Sequence, residues 1–414
     1  MRSLKLFAAI FVSTVLAMPV GNTLAQEAGE APRFRIGAMD IHPGVEVSVK
    51  TDDNVFKTKT NKKNDSVMTY APSIDVELPF AGESSFKAGF EYTIEDFNKF
   101  GGEDNEEKKG TMGLDLERIN WNIYSRTSAS WTDGSDASSS ETESTTGPRT
   151  ASTSGVIDTE LGFGGYDGSK LKVEGSTGIT RKRYDGADQD RLEHNLTRFG
   201  ALTEFFFSPK TNIRVEYEFE SVKYINRTSS DQRDDAKDHT VRAGLSFTPS
   251  ALITGHATVG AELRQYNENI SSTDNGDRDS TNLSVDVDLT WSARPSKTKI
   301  NITGASSIEN ASSPGQFGFR KSSIGGTLTQ GLPFISQNLD LILDASLERN
   351  IFIRASRKDS LLNFGTELKY QSPSKRFPWY ASIEFGYERK TTNENKSSIE
   401  YDNNTFEFLV GVNY

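Results

Sequence analysis

The chain has no cysteine among its 414 residues, which excludes disulfide frameworks and thiolate metal sites. Histidine is nearly as scarce. His42, His194, His239 and His256 are the whole set, and none stands at an HExxH or comparable ligand spacing. No GxSxG nucleophile elbow occurs. Gly162-Phe163-Gly164-Gly165 falls within a strand-and-turn pattern and only imitates a phosphate loop. His256 with Thr258 leaves a triad incomplete. These gaps speak against an enzyme, a bound cofactor or a metal centre. An excess of positive charge is also missing: 47 Lys and Arg stand against 58 Asp and Glu, a net charge of -11, which argues against a nucleic-acid partner. Hydrophobic residues make up only 34%, a share that points toward disorder. Yet 25 Phe, 13 Tyr and 4 Trp are too many for a solvated coil. Long apolar runs are absent except for one, so a bundle of membrane helices is excluded.

That single run is Leu6 to Val20, with Arg2 and Lys5 before it and Gly21-Asn22-Thr23-Leu24-Ala25 after it. It is short for a span. A basic start, an apolar middle and a small residue at the end read as a secretory signal peptide. The expected organisation is a signal peptide over 1–25, a periplasmic segment over 26–41 and one large domain over 42–414. An exported domain without disulfides needs another source of stability, and a closed hydrogen-bonded barrel supplies one.

From His42 onward the chain repeats a unit of about ten alternating apolar and polar residues followed by a turn or loop. Phe406, Phe408, Val410, Val412 and Tyr414 share one face of the last segment. Ile213, Val215, Tyr217 and Phe219 share a face opposite Arg214, Glu216, Glu218 and Glu220. Leu283, Val285, Val287, Leu289 and Trp291 do the same opposite Asp286 and Asp288. The alternation predicts about eighteen strands, the first over 43–52 and the last over 402–414. Connections alternate as well. Short ones carry Pro209, Pro249, Pro295 and Pro373, where proline fixes φ for a tight turn and cannot continue a ladder. Long ones are polar and acidic, such as Asp133 to Ser154. This predicts an all-β, transmembrane, antiparallel up-and-down barrel in the outer membrane of a Gram-negative cell, with short periplasmic turns and long extracellular loops. Phe80, Trp121, Phe207, Phe247, Trp291, Trp379 and Tyr414 are expected at the periplasmic lipid interface. Phe97, Trp131, Tyr184, Tyr224, Tyr266 and Tyr387 are expected at the outer one.

Two motifs carry a family resemblance. The last strand ends on Tyr414 with apolar residues at every second position before it, which resembles the carboxy-terminal signal read by the barrel-assembly machinery. Ile41-His42-Pro43-Gly44-Val45 opens the first strand, and Asp52-Asp53-Asn54-Val55-Phe56 closes it. With the proline-containing turns, the chain resembles the second family of β-barrel porins. The resemblance implies an association with exopolysaccharide export and, as partners, outer-membrane lipid and lipopolysaccharide, the assembly machinery and periplasmic polysaccharide export components. It offers no catalytic residues. Read physically, Pro43-Gly44 turns the chain from the periplasmic segment into the first strand. Asp52, Asp53 and Asn54 are of the kind that binds Ca²⁺ and equally of the kind that forms a solvated turn.

On the inward face acids outnumber bases roughly two to one by this alternation. Glu216, Glu218, Glu220, Asp286, Asp288, Asp340 and Asp344 are the acids singled out. A lumen of one dominant sign favours counter-ions, unless the acids pair across strands with Arg214, Arg242 or Arg198. Inward glycines such as Gly89, Gly162, Gly178 and Gly365 leave room for a sugar chain or ease strand twist. The leading expectation is a passive pathway linked to exopolysaccharide export. The alternatives are a general or cation-selective diffusion porin and a structural or adhesive surface barrel.

Overall fold

A computed structural model describes residues 34–80, 84–118, 123–136, 150–164, 170–184, 193–225, 235–247, 252–266, 279–294, 298–310, 318–353, 355–374, 378–394 and 399–413. Among the described residues the strands are β1 (Phe34–Ile36), β2 (Met39–Asp52), β3 (Asp65–Pro79), β4 (Ser85–Phe97), β5 (Asn105–Arg118), β6 (Ile123–Asp136), β7 (Thr150–Gly164), β8 (Leu171–Tyr184), β9 (His194–Phe206) and β10 (Thr211–Tyr224). They continue as β11 (Ala236–Phe247), β12 (Ile253–Tyr266), β13 (Ser280–Arg294), β14 (Thr298–Glu309), β15 (Phe319–Gly331), β16 (Leu339–Phe352), β17 (Lys358–Gln371), β18 (Trp379–Thr392) and β19 (Tyr401–Asn413). From β2 to β19 each strand pairs antiparallel with the next, and β19 pairs with β2. Eighteen strands therefore close on themselves, which leaves no unpaired sheet edge to face lipid.

Alternation decides what each face meets. Phe90, Leu161, Val215, Val259, Leu283 and Phe406 are large, apolar and exposed on the outer surface. A continuous apolar belt of this kind belongs in hydrocarbon, not in water. The residues between them carry the charges and point inward.

The predicted strands all occur, with ends moved by a few residues. The connection read as Asp133 to Ser154 is shorter, because β6 runs on to Asp136 and β7 begins at Thr150. Its remainder, 137–149, lies outside the described residues. Alternation of loop lengths holds through most of the chain and fails late: 353–357 is shorter than its periplasmic neighbours 332–338 and 372–378. It is a tight closure, with the Phe352 N–H donating to the Arg357 carbonyl at 3.1 Å and the buried Arg357 guanidinium paired with Asp359 at 2.7 Å.

The start of the barrel differs from the sequence reading. Pro43 and Gly44 lie inside the continuous strand β2, so they do not turn the chain. The turn is at Gly37, whose φ of 64° is open to glycine at little cost, and it joins β2 to the short β1. On one side β2 pairs with β19 from Asp52 down to Gly44, and then with β1 from Ile41 to Met39. Pro43 sits in the interval between these two ladders, where a strand proline is best tolerated. Phe34 and Ile36 continue the lipid-facing side of β2, and Arg35 pairs with Asp40 at 2.7 Å on the inner side.

Candidate functional site: the inner wall of the barrel

Inward glycines are saddles over which side chains two strands apart meet. Tyr124 on β6 crosses Gly162 on β7 to hydrogen-bond Glu174 on β8. Arg198 on β9 crosses Gly178 to reach Asp158 on β7 at 3.1 Å. Tyr380 on β18 crosses Gly411 to donate to Glu46 on β2 at 2.6 Å. Asp75 and Thr111 converge over Gly89, and Asp344 leans over Gly365. A methyl group at any of these positions would occupy the space the crossing side chain now fills. They are therefore not free room for a polymer. Gly244 and Gly260 differ: there a Cβ would meet the backbone of the paired strand itself, so these two let the β11 and β12 backbones approach closely.

The wall from β6 to β11 is a field of matched charges around a hollow of about 700 Å³. Arg214 reaches Glu204 at 3.4 Å and Glu216 at 3.1 Å. Arg242 reaches Glu216 at 2.8 Å and Glu218 at 3.4 Å. Thr258 also donates to Glu216, at 2.8 Å. Arg126 pairs with Glu160 at 3.3 Å, and Lys172 with Glu174 at 2.5 Å. The Glu216 and Glu218 charges are thus largely spent on arginine, whereas Glu220 lies in register between Arg198 and Asp238. Asp286 accepts from the His256 Nε2–H at 3.1 Å, and Asp288 accepts from Asn301 at 2.7 Å. The acids singled out in the sequence therefore do not form one lining.

The unbalanced acids are on the opposite wall, where Asp340 and Asp344 stand on β16. There Glu367, Glu384 and Glu407 lie directly opposite one another on β17, β18 and β19. Like charges so placed repel across a spacing of about 5 Å. Lys50 faces Glu407 in register, and Lys369 stands 3.9 Å from Glu367. Among the described residues no basic group comes within ion-pair distance of Glu384 or Glu407.

One hairpin narrows the outer half of the lumen. The β13–β14 ladder stops at Val285 and Ser306. Beyond it the β14–β15 end leans over the inner faces of β12 and β13. The Ile308 N–H donates to Glu262 at 2.9 Å, Arg264 donates to the Ile308 carbonyl at 3.1 Å and to Asn310 at 3.0 Å, and Arg320 donates to Ser280 at 3.1 Å. Asp238 holds Arg264 through two bonds of 2.6 Å, and Arg264 is 1% exposed. Strand alternation alone gives no sign of this, because the residues keep their pattern while the hairpin leaves its neighbour.

A model of the family described as "Putative beta-barrel porin 2" matches residues 28–414. The chain belongs to this family. Among solved structures this porin is similar to Pseudomonas aeruginosa OpdL, at 10% identity and a TM-score of 0.46 over 91% of this chain and 99% of that one. It is similar to Acinetobacter baumannii OccAB3, at 8% identity and 0.47 over 92% and 100%. It is also similar to a BenF-like porin from Pseudomonas fluorescens Pf-5, at 9% identity and 0.47 over 91% and 99%. Comparison with curated proteins gives no match. This porin is an outer-membrane β-barrel.

The motif residues of the porin turn out to secure its closing seam. Asn54 is fully buried and donates to the Thr58 and Asp402 carbonyls at 2.8 Å each, while its Oδ1 accepts from the Thr58 N–H at 3.0 Å. Asp52 accepts from the Asn54 N–H at 2.8 Å and from Asn403 at 3.3 Å, and Asp53 accepts from Asn404 at 2.8 and 2.7 Å. These carboxylates are engaged by the chain's own donors across the β2–β19 junction, and no cluster suited to a metal occurs among the described residues. Above the seam Lys59 pairs with Glu400, and together with the Thr392 N–H it holds that carboxyl below the usual carboxylate range. His42 lies on the inner side of β2, opposite Asp75. On β19, Phe406, Phe408 and Val410 face lipid in register with Thr51, Val49 and Val47, and Val412 lies beside Trp379 and Val45. Tyr414 lies outside the described residues.

The aromatic rims need correction. Phe247, Trp291 and Trp379 occupy the lipid-facing side at the periplasmic end, and Trp131 and Tyr387 do so at the outer end. Phe97, Tyr184, Tyr224 and Tyr266 instead fall on the inward parity of their strands, and Tyr224 and Tyr266 are buried there. Trp121 lies outside the described residues. The outer lipid-facing belt includes a group the sequence did not reveal. Phe199, Phe219 and His239 line up across β9–β11 with ring centroids 6.2 and 5.0 Å apart, and Tyr217 bonds His239 at 2.9 Å.

Proposed function

We propose that this porin forms a water-filled passive pathway across the outer membrane, with a preference for small cations. The observation that carries this reading is the inner wall: matched ion pairs on β6–β11 face a row of three mutually opposed glutamates on β17–β19, of which Glu384 and Glu407 have no basic group within ion-pair distance among the described residues. Matched pairs hydrate without a strong net field, and the acidic row supplies the bias. The test is the reversal potential of the purified barrel in a planar bilayer under a salt gradient. A cation-selective potential supports the reading, and an anion-selective one overturns it.

The link to exopolysaccharide export is carried by no residue of this lumen. A polyanionic chain would meet Glu367, Glu384 and Glu407 and be repelled, so any polymer passing here is neutral or cationic. Residues 1–25 serve as the cleaved export signal in this reading. The lipid-facing side of β19 serves the assembly machinery.

A further inference from the structure

The outer end of the β14–β15 hairpin carries the residue pattern of one place and sits in another. On β14, Ile300, Ile302 and Ser306 stand opposite Trp291, Leu289 and Val285 on the lipid-facing side. Ile308 continues that side, with Arg320 opposite it on β15. Yet Ile308 is only 4% exposed. The side of the hairpin that alternation assigns to lipid lies instead on the inward side chains of β13. Asn282 donates to Ser306 at 3.3 Å, and Arg320 donates to Ser280 at 3.1 Å. Those inward side chains, Ser280, Asn282 and Ser284, are short, which gives the hairpin end room to overlap β13. Gly318 on the other arm fits the same position: a Cβ there would stand 3.1 Å from the Tyr266 hydroxyl and 3.4 Å from Arg264.

Continued past Val285 and Ser306, the β13–β14 register sets Leu283 opposite Ile308 and Thr281 opposite Asn310. The Ile308 peptide groups that such a ladder would use are taken by β12 side chains. Its N–H donates to Glu262 at 2.9 Å, and its carbonyl accepts from Arg264 at 3.1 Å. The edge of β13 at Leu283 has no ladder on that side, and Leu283 is 64% exposed. An unpaired strand edge in a membrane wall is costly. Re-pairing with β14 removes that cost and leaves Glu262 and Arg264 to lumen water, with Asp238 still holding Arg264. Each position satisfies groups that the other leaves open, which is the condition for two arrangements close in free energy.

We propose that the outer end of β14–β15 is a flap with two seats, an inner one that narrows the lumen and an outer one, paired with β13, that widens it. The gate rests on the water-filled pathway proposed above and adds a control to it. In moving outward, Ile308 passes from the lumen side of β13 to lipid. The outer half of the lumen then gains the width of the strand ends that now overlap the wall, about 4.8 Å for each.

The absence of cysteine gives a test without background. In the outer seat Leu283 and Ile308 are a hydrogen-bonded pair, about 5.5 Å apart at Cα, which a disulfide spans. In the inner seat their side chains lie on opposite sides of β13 and cannot be joined. Leu283→Cys with Ile308→Cys is inserted as the full barrel in lipid vesicles, oxidised after insertion and read by non-reducing electrophoresis. Val285→Cys with Ser306→Cys, opposed in both seats, sets the rate scale. The 283–308 pair should link more slowly than this control, and faster once Glu262→Ala removes the acceptor of the inner seat. In a planar bilayer the linked barrel should hold a higher current level and lose transitions to a lower one, and reductant should restore them. Linking of the control alone overturns the proposal, as does a 283–308 link that leaves the current unchanged. If the double variant does not fold, Ile308→Cys alone decides. A lipid-soluble maleimide should modify it in the inserted barrel, and complete protection overturns the outer seat. Cross-linking is read without any current, so a barrel of the wrong ion preference fails the pathway reading and leaves the flap to be judged by its own link.

Discussion

At the scale of single residues, glycine carries more of this barrel than its composition suggests. Gly162 and Gly178 are needed because a partner crosses them, Tyr124 in one case and the Arg198–Asp158 pair in the other. Gly113 has the same inward parity, but its nearest neighbours lie 3.9 Å from a built Cβ. We expect Gly162→Ala to lower unfolding stability by about 1–3 kcal/mol through overpacking, and Gly113→Ala to be close to neutral. Denaturant unfolding in detergent checks both. Equal effects at the two positions would mean that strand propensity, not the crossing side chain, sets the need for glycine. Asn54 makes the complementary case. Its buried amide holds three backbone groups, so Asn54→Ala should cost about 2–4 kcal/mol by leaving them unsatisfied. The loss should show as earlier proteolysis near 53–64. The Lys59–Glu400 pair above it works in one direction with pH. Because its partner lowers the Glu400 pKa, its stabilising contribution is present above the usual carboxylate range and is lost as pH falls through the lowered value. Cleavage at this seam should therefore be faster in acid than at neutral pH, and Glu400→Gln should remove that difference.

At the scale of elements, the sequence read well wherever period two was the whole signal. Every long strand of the barrel was legible, because one face must meet lipid and the other water. Three features were not. The short strand β1 has no room for alternation, and the lone Gly37 is a weaker turn signal than Pro43-Gly44. The aromatics Tyr184, Tyr224 and Tyr266 were placed by height along their strands, while parity turned them inward. The inward lean of the β14–β15 end depends on where a ladder stops, which no residue pattern announces. The last strand gives the element-scale test. Phe408 faces lipid between Ile383 and Val49, so Phe408→Lys should destabilise the inserted barrel by about 2–4 kcal/mol. Glu407→Lys, one residue away on the inner side, should not impair insertion. Heat-modifiable migration of the two variants would read the difference, and equal insertion would show that lipid contact is not what this strand supplies.

At the scale of the whole molecule, stability and selectivity are separable because the two walls treat acid differently. On β10 the charge of Glu216 is held by Arg214, Arg242 and Thr258, so that acid contributes to the fold. On β17–β19 the charges of Glu367, Glu384 and Glu407 oppose one another across paired strands, so those acids cost stability, and in the proposed reading they bias the lumen toward cations. The candidate lining was therefore only half legible in the sequence. Its residue types and inward parity could be read, but which acids were matched depended on register. The prediction has two readouts with different signs. Glu384→Gln with Glu407→Gln should reduce cation preference at low ionic strength, an effect that fades as salt shortens the Debye length from about 30 Å at 0.01 M to about 3 Å at 1 M. The same variant should gain about 0.5–1 kcal/mol in unfolding stability as the like-charge contact is relieved. Glu216→Gln should also reduce cation preference, since it leaves arginine charge unbalanced, but it should lose stability because two guanidinium groups lose the counter-charge they share. If both variants move stability in the same direction, the acids of the two walls are equivalent and the assignment of selectivity to the Glu367–Glu384–Glu407 row does not hold.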